Sequence, residues 1–224
     1  KLLHDPATLP NCKKAAARVV AAINAKHKIV VYGDYDVDGI TAASILWHAI
    51  KILGGDVDYY IPHRIDEGYG LNAAALAELI DRGANLIITV DCGITAAEPA
   101  TIARERGVDL IITDHHEWHE HHAADGRPAS PIFPDCYTIV HPRLTRDDDG
   151  AACNYPNDAL CGAGVAFKLA WQIGVTAAGG SSGARVSDEF REYLLEATAL
   201  AALETIADVV PLVDENRVLA AFGL

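Results

Sequence analysis

Lys28-Ile29-Val30-Val31-Tyr32-Gly33-Asp34-Tyr35-Asp36-Val37-Asp38-Gly39 is the segment on which the fold turns. Its first half is a short run of β-branched and aromatic residues without polar alternation. A strand covered on both faces reads this way, and such strands belong to parallel sheets. Gly33 breaks the run, three carboxylates follow at alternate positions, and Gly39 opens a helix expected over roughly 40–53 and stopped by Gly54-Gly55. The same grammar recurs. Leu86-Ile87-Ile88-Thr89-Val90 runs into Asp91-Cys92-Gly93, and the strand expected over 109–113 runs into Asp114-His115-His116-Glu117. In open α/β sheets the carboxyl ends of the strands are where ligands bind.

Outward from these segments the chain reads as β-α units. A helix is expected over 13–27, a short apolar stretch over 57–61 ended by Pro62, and a helix over 73–82 capped by Asn72 and stopped by Gly83. A further helix is expected over 95–106 before Gly107, and a last strand over 138–140. The order implies a mostly parallel, doubly wound sheet with helices on both faces. Residues 119–135 read as a loop, with His119, His121 and His122 solvated, and 146–158 as an exposed insertion. Leu160 begins a helix to about Ile173 whose Cys161-Gly162-Ala163-Gly164 start permits close packing; Gly179 to Gly183 is a turn, and Ser187 caps a helix to about Ala202.

The 224 residues, half of them hydrophobic, suffice for a sizeable core, and no apolar run approaches membrane-spanning length. The five cysteines are scattered without a CxxC pair, so neither a zinc site nor a disulfide framework is indicated and a cytoplasmic setting is expected. No secretory leader is apparent, and the lack of any Met is what a segment excised from a longer protein would show. A net charge of -13 excludes a bare electrostatic nucleic-acid binder. It leaves room for a nuclease, because metal-site carboxylates add negative charge and bound cations invert the local field.

Asp34, Asp36 and Asp38 fall two apart, so on an extended backbone their carboxylates converge as hard ligands for Mg²⁺ or Mn²⁺. A capped, Asp-rich turn is the plainer alternative. An EF-hand fails because its twelfth position would be Ile45. Gly39 lets the following helix present its N-terminus to a phosphate. Asp91 alone could be a cap; Asp208, inside an apolar stretch, could be a cap or a ligand. His115 and His116 are adjacent, so on an extended chain one ligates while the other faces substrate. Arg64 offers bidentate contact to a phosphate, or else an ion pair with Glu67. Pooled, these groups fit a two-metal phosphoryl site.

Asp36-x-Asp38-Gly39, Asp91-Cys92-Gly93 and Asp114-His115-His116 resemble the signature motifs of the DHH phosphoesterases. Within them, Gly33 to Gly39, His63-Arg64-x-x-Glu67-Gly68-Tyr69-Gly70, His141-Pro142, Leu160 to Ala166 and Thr205 to Leu212 are similar to the RecJ-type single-strand-specific 5′→3′ DNA exonucleases. The resemblance spans essentially the whole chain. It implies a single DHH catalytic domain over residues 1–224, ending before a DHH-associated domain and an oligonucleotide-binding barrel. It also implies two Mn²⁺ or Mg²⁺ ions, with Asp36 on one, Asp38 on the other and Asp91 bridging. His115 and Asp208 would complete the coordination of the second ion, His116 would contact the scissile phosphate, and Asp34 would ligate or support. Some relatives carry His where Tyr32 stands, leaving one protein ligand fewer for the first ion. The implied activity is hydrolysis of single-stranded DNA from the 5′ end to 5′-mononucleotides in repair and recombination, with a single-strand-binding protein or helicase as partner. Alternatives are a DHH phosphodiesterase for short oligonucleotides, cyclic dinucleotides or polyphosphate, and a catalytically silent DNA-binding or replisome-scaffold relative.

Overall fold

The computed structural model describes residues 3–121, 130–180 and 185–224. Five parallel strands form one sheet in the order β2-β1-β3-β4-β7: β1 (Lys28–Tyr32), β2 (Asp56–Tyr60), β3 (Leu86–Val90), β4 (Asp109–Thr113) and β7 (Thr138–Val140). The continuous apolar runs are buried as expected: every residue of β3 is buried, and four of five in β1 and in β4. Helices α1 (Cys12–Asn24), α2 (Val37–Ile52), α5 (Gly162–Ala177) and α6 (Asp188–Ala207) pack one face through Val19, Ile45, Leu46, Leu169 and Ala197. On the other face, α3 (Ala73–Asp81) and α4 (Ala97–Glu105) pack through Leu76, Leu79, Ala100 and Ala103. Fully burying one such Ile or Leu stabilises the fold by about 1.5–3 kcal/mol. The sheet is therefore doubly wound, and its order reverses between β1 and β3, the crevice where such sheets bind ligands.

Register brings the strand ends level. Tyr32 pairs with Thr89 and Val90 with Thr113, so the loops after β1, β3 and β4 leave one rim side by side. Asn72 caps α3, its side chain accepting from Ala75 N–H, as the sequence indicates.

Several boundaries differ from expectation. Helix α1 stops at Asn24 because Lys26 takes a left-handed φ of 58°. Helix α2 begins at Val37, three residues early, since Asp36 rather than Gly39 caps it: the Asp36 carboxylate accepts from Gly39 N–H at 3.1 Å. Residues 119–135 are not wholly loop; β5 (His119–His121) pairs antiparallel with β6 (Ser130–Ile132), both exposed, while His122 lies outside the described residues. The expected turn over 179–183 is described only at Gly179 and Gly180, both with positive φ. The 146–158 segment is not exposed throughout. Tyr155 and Asn157 are buried against Glu215 of α7 (Asp214–Gly223), a helix the sequence did not suggest. Glu215 also pairs with Lys168 of α5 at 2.6 Å, both groups being fully buried.

Candidate metal centre

Asp34, Asp36 and Asp38 do not converge by strand alternation, because Asp38 already lies in the first turn of α2. A tight strand-to-helix turn brings them together. A Cβ at Gly39 would stand 2.2 Å from Asp34 N and 2.5 Å from Asp34 O, so only glycine lets the helix start against the strand end. The Gly39 N–H is taken by Asp36, so this residue serves close packing rather than phosphate contact. Asp91 takes φ 58°, a conformation Asp tolerates better than most residues, and turns its side chain from β3 toward α2 and α5. A Cβ on Gly162, at the start of α5, would stand 2.3 Å from Asp91 Oδ1. The close packing expected of the Gly162-Ala163-Gly164 stretch thus has a specific object.

Two sets of ligand atoms result, each within 4.8 Å: Asp36, Asp38 and Asp91, and Asp91, His115 and His116. Buried Asp91 belongs to both. Asp208, the C-cap of α6, brings Oδ2 to 3.8 Å from His115 Nε2, so a residue 93 positions further along the chain joins the same rim. Its side chain is only partly buried. Asp34 is fully buried and accepts from Tyr35 N–H, but belongs to neither set.

His115 and His116 are not on an extended strand. Their rings lie 4.5 Å apart, yet different partners hold them. His115 Nε2 is 3.2 Å from Asp91 Oδ1. His116 Nδ1 donates to Asp114 Oδ1 at 2.7 Å, and its Nε2 meets the Tyr69 hydroxyl at 3.1 Å. Asp114 is buried and also accepts from the N–H groups of Ile94, His115 and His116. Beneath them, His141 of the His-Pro pair accepts from Arg143 N–H at Nδ1, so Nε2–H donates to the His116 carbonyl at 2.9 Å. Burial holds His141 down to about 4, so it stays neutral and braces the turn. Among the described residues Arg64 pairs with neither Glu67 nor another carboxylate; it lies over the Tyr35 ring at 5.1 Å, while Glu67 holds Tyr60 Oη and His63 N–H.

The electrostatics are those of a site short of positive charge. Burial, then the charges of Asp91, Asp208 and Asp36, push Asp38 up to about 7. Burial pushes Asp34 up to about 6 and raises Asp91 despite His115. Glu204 of α6, fully buried, caps Ala163 N–H at the start of α5; burial and then Asp91 and Asp38 raise it well above the carboxylate range. The Asp114 hydrogen bond carries His116 up to about 9. Asp34 Oδ2, Asp38 Oδ1 and Glu204 Oε1 are buried oxygens without a hydrogen-bond donor among the described residues, and Asp91 Oδ1 has only the His115 imidazole at 3.2 Å. Buried carboxylate oxygens require compensation, and hard oxygen and imidazole donors around one shared Asp fit divalent cations. Asp114, Tyr69, Gly162 and Glu204 escaped the sequence reading of the site. Asp114 had a signal, its place directly after a strand; the others act through contacts far away in sequence.

Residues 28–201 match the DHH family, N-terminal domain. The chain belongs to the DHH family. It is 43% identical over 221 residues to the single-stranded-DNA-specific exonuclease RecJ of Bacillus subtilis, covering 99% of the chain and 24% of that protein. Against RecJ of Thermus thermophilus it is 36% identical over 221 residues, covering 96% of the chain and 28% of the relative. The chain thus spans about a quarter of the length of these two relatives. Among solved structures, exonuclease RecJ bound to manganese matches with a TM-score of 0.75 at 36% identity, over 100% of this chain and 48% of that one. RecJ of T. thermophilus with Mn²⁺ matches at a TM-score of 0.70 and 33% identity, over 100% and 27%. Among the described residues no helix is long and apolar enough to cross a membrane.

Proposed function

We propose that this chain is the catalytic domain of an exonuclease that hydrolyses single-stranded DNA from its 5′ end with two divalent ions, Mn²⁺ or Mg²⁺, releasing 5′-mononucleotides in repair and recombination. The observation that carries the reading is the sharing of buried Asp91 by both ligand sets, the position of a bridging ligand. Asp36 and Asp91 would hold one ion; Asp38, Asp91, His115 and Asp208 would hold the other. Bound there, the pair supplies Lewis acidity and the nucleophilic water for in-line displacement. The protein's own part is orientation. Asp114 and the His141 brace aim His116 at the scissile phosphate. Arg64, exposed on the Tyr35 ring, is placed to meet a neighbouring phosphate, and Asp34 supports the turn from below. The similarity to single-stranded-DNA-specific exonucleases supports the substrate, and the 5′ polarity rests on the motif resemblance alone.

The chain's net charge of -13 supports a reading in which a basic surface outside these residues holds the strand. The reading carries with it a cytoplasmic setting and a single-strand-binding protein or helicase as partner.

The test is Mn²⁺-dependent digestion of 5′-labelled and 3′-labelled single strands by the full-length protein. Label is expected to leave the 5′ end first, as mononucleotide. Equal loss from both ends would overturn the polarity, and undiminished activity of Asp91→Ala would overturn the site.

A further inference from the structure

Tyr69 is 59% exposed as a residue, yet its hydroxyl sits 3.1 Å from Nε2 of His116, on the side of the imidazole opposite Asp114. The His116 ring is therefore gripped at both nitrogens. An imidazole held only at Nδ1 keeps a swinging freedom about that bond; a second partner at Nε2 removes it. Tyr69 is itself held. It lies edge-on to Tyr35 at 6.5 Å and to His116 at 6.0 Å. The turn that carries it is tied to the sheet by Tyr32, which is fully buried at the end of β1. Tyr32 Oη donates to the Gly70 carbonyl at 3.3 Å and accepts from Asn72 N–H at 3.2 Å. Its ring stacks on Tyr60 at 5.3 Å, and Tyr60 Oη donates to Glu67 in the same turn. Tyr32 thus serves the loop rather than the acids.

We propose that Tyr69 is a positioning residue that holds His116 at Nε2 before substrate arrives and yields that nitrogen to the phosphate, and that Tyr32 is the post that fixes Tyr69, so two residues outside the metal ligands pre-set the imidazole. The role of His116 rests on the function proposed above; the Tyr69 clamp on the ring does not. In the assignment proposed above His116 faces the phosphate and is not one of the ion's ligands, so the clamp acts on orientation and not on ion affinity.

Two readouts test this. In the full-length protein, Tyr69→Phe keeps the ring contacts and removes the hydroxyl. Its kcat on single-stranded DNA should fall about tenfold, the scale of one hydrogen bond's net worth, with KM and Mn²⁺ affinity within about twofold of wild type. Tyr32→Phe should lower kcat in the same way. The double variant should be no worse than Tyr69→Phe alone, since both act through one contact. On this chain, the ¹⁵N resonance of His116 Nε2 should move in Tyr69→Phe while those of His141 stay. If wild type does not cleave DNA, the function falls but the ring resonance still decides the clamp. An unmoved Nε2 resonance, a KM change at constant kcat, or additive losses in the double variant would each overturn the proposal.

Discussion

Gly162→Ala adds one methyl group where α5 begins, and the structure fixes what that methyl meets. Its carbon would stand 2.3 Å from Asp91 Oδ1, 2.7 Å from Cγ and 2.8 Å from Cβ. Non-bonded carbons settle at about 3.5–4.0 Å, so something must move by roughly 1 Å. Asp91 has little room, being 2% exposed with its backbone at φ 58°. The start of α5 is equally fixed, because Glu204 holds Ala163 N–H. Elsewhere in a helix, Gly→Ala stabilises by about 0.5–1 kcal/mol. Here the sign should reverse, to a loss of about 1–3 kcal/mol from overpacking. Displacing Asp91, the proposed bridging ligand, should also lower Mn²⁺ affinity by about 10–100-fold, the range seen when a ligand loses its support. Urea unfolding followed by circular dichroism reads the first effect, and calorimetric Mn²⁺ titration the second. A Gly162→Ala protein that is more stable than wild type and binds Mn²⁺ equally well would refute the seating of Asp91 against α5.

Other outcomes follow from the same geometry. With Asp38 pushed up to about 7, it must shed a proton to bind a cation, so Mn²⁺ affinity measured by calorimetry should rise about tenfold from pH 6 to pH 8 on its account alone. Stability of the metal-free chain should move the opposite way. Asp34 and Asp38, raised from 3.8 to about 6 and about 7, cost stability as pH climbs from near 4 through those values. His116, raised from 6.5 to about 9, contributes fully below 6.5 and loses that contribution as pH passes 9. Thermal melts without metal should therefore fall from pH 5 to pH 9, and added Mn²⁺ should restore most at the alkaline end. Away from the site, Glu215→Ala leaves buried Lys168 without its counter-charge and should destabilise the fold by about 3–5 kcal/mol in urea titrations, Mn²⁺ affinity being unaffected.

The sheet was readable because β1, β3 and β4 are continuous apolar runs with glycine or acid immediately beyond them, a pattern few other structures share. The rim groups were readable for the same reason: Asp91 directly follows β3, and Asp36 and His115 come within four residues of the ends of β1 and β4, strands that must lie side by side. What the sequence concealed depends on contacts distant in the chain. Nothing local says that Gly162 abuts Asp91, that Tyr69 reaches His116, or that Glu204 caps α5. Helix α7 was missed because Glu215 and Asn216, buried in a polar network with Tyr155 and Asn157, look like surface residues. The β5–β6 hairpin was missed because its strands are exposed on every residue and carry no apolar signal. The start of α2 was placed three residues late because Gly39 was read as its opening residue, whereas the Asp36 carboxylate caps the helix.

Whether the level strand ends hold a pair of ions can be read from one anomalous-scattering experiment on crystals of this chain grown with Mn²⁺. Two peaks are expected, both touching Asp91, one beside Asp36 and the other among Asp38, His115 and Asp208. A lone peak away from Asp91, or Asp208 and His115 turned into different shells, would contradict the shared-ligand centre.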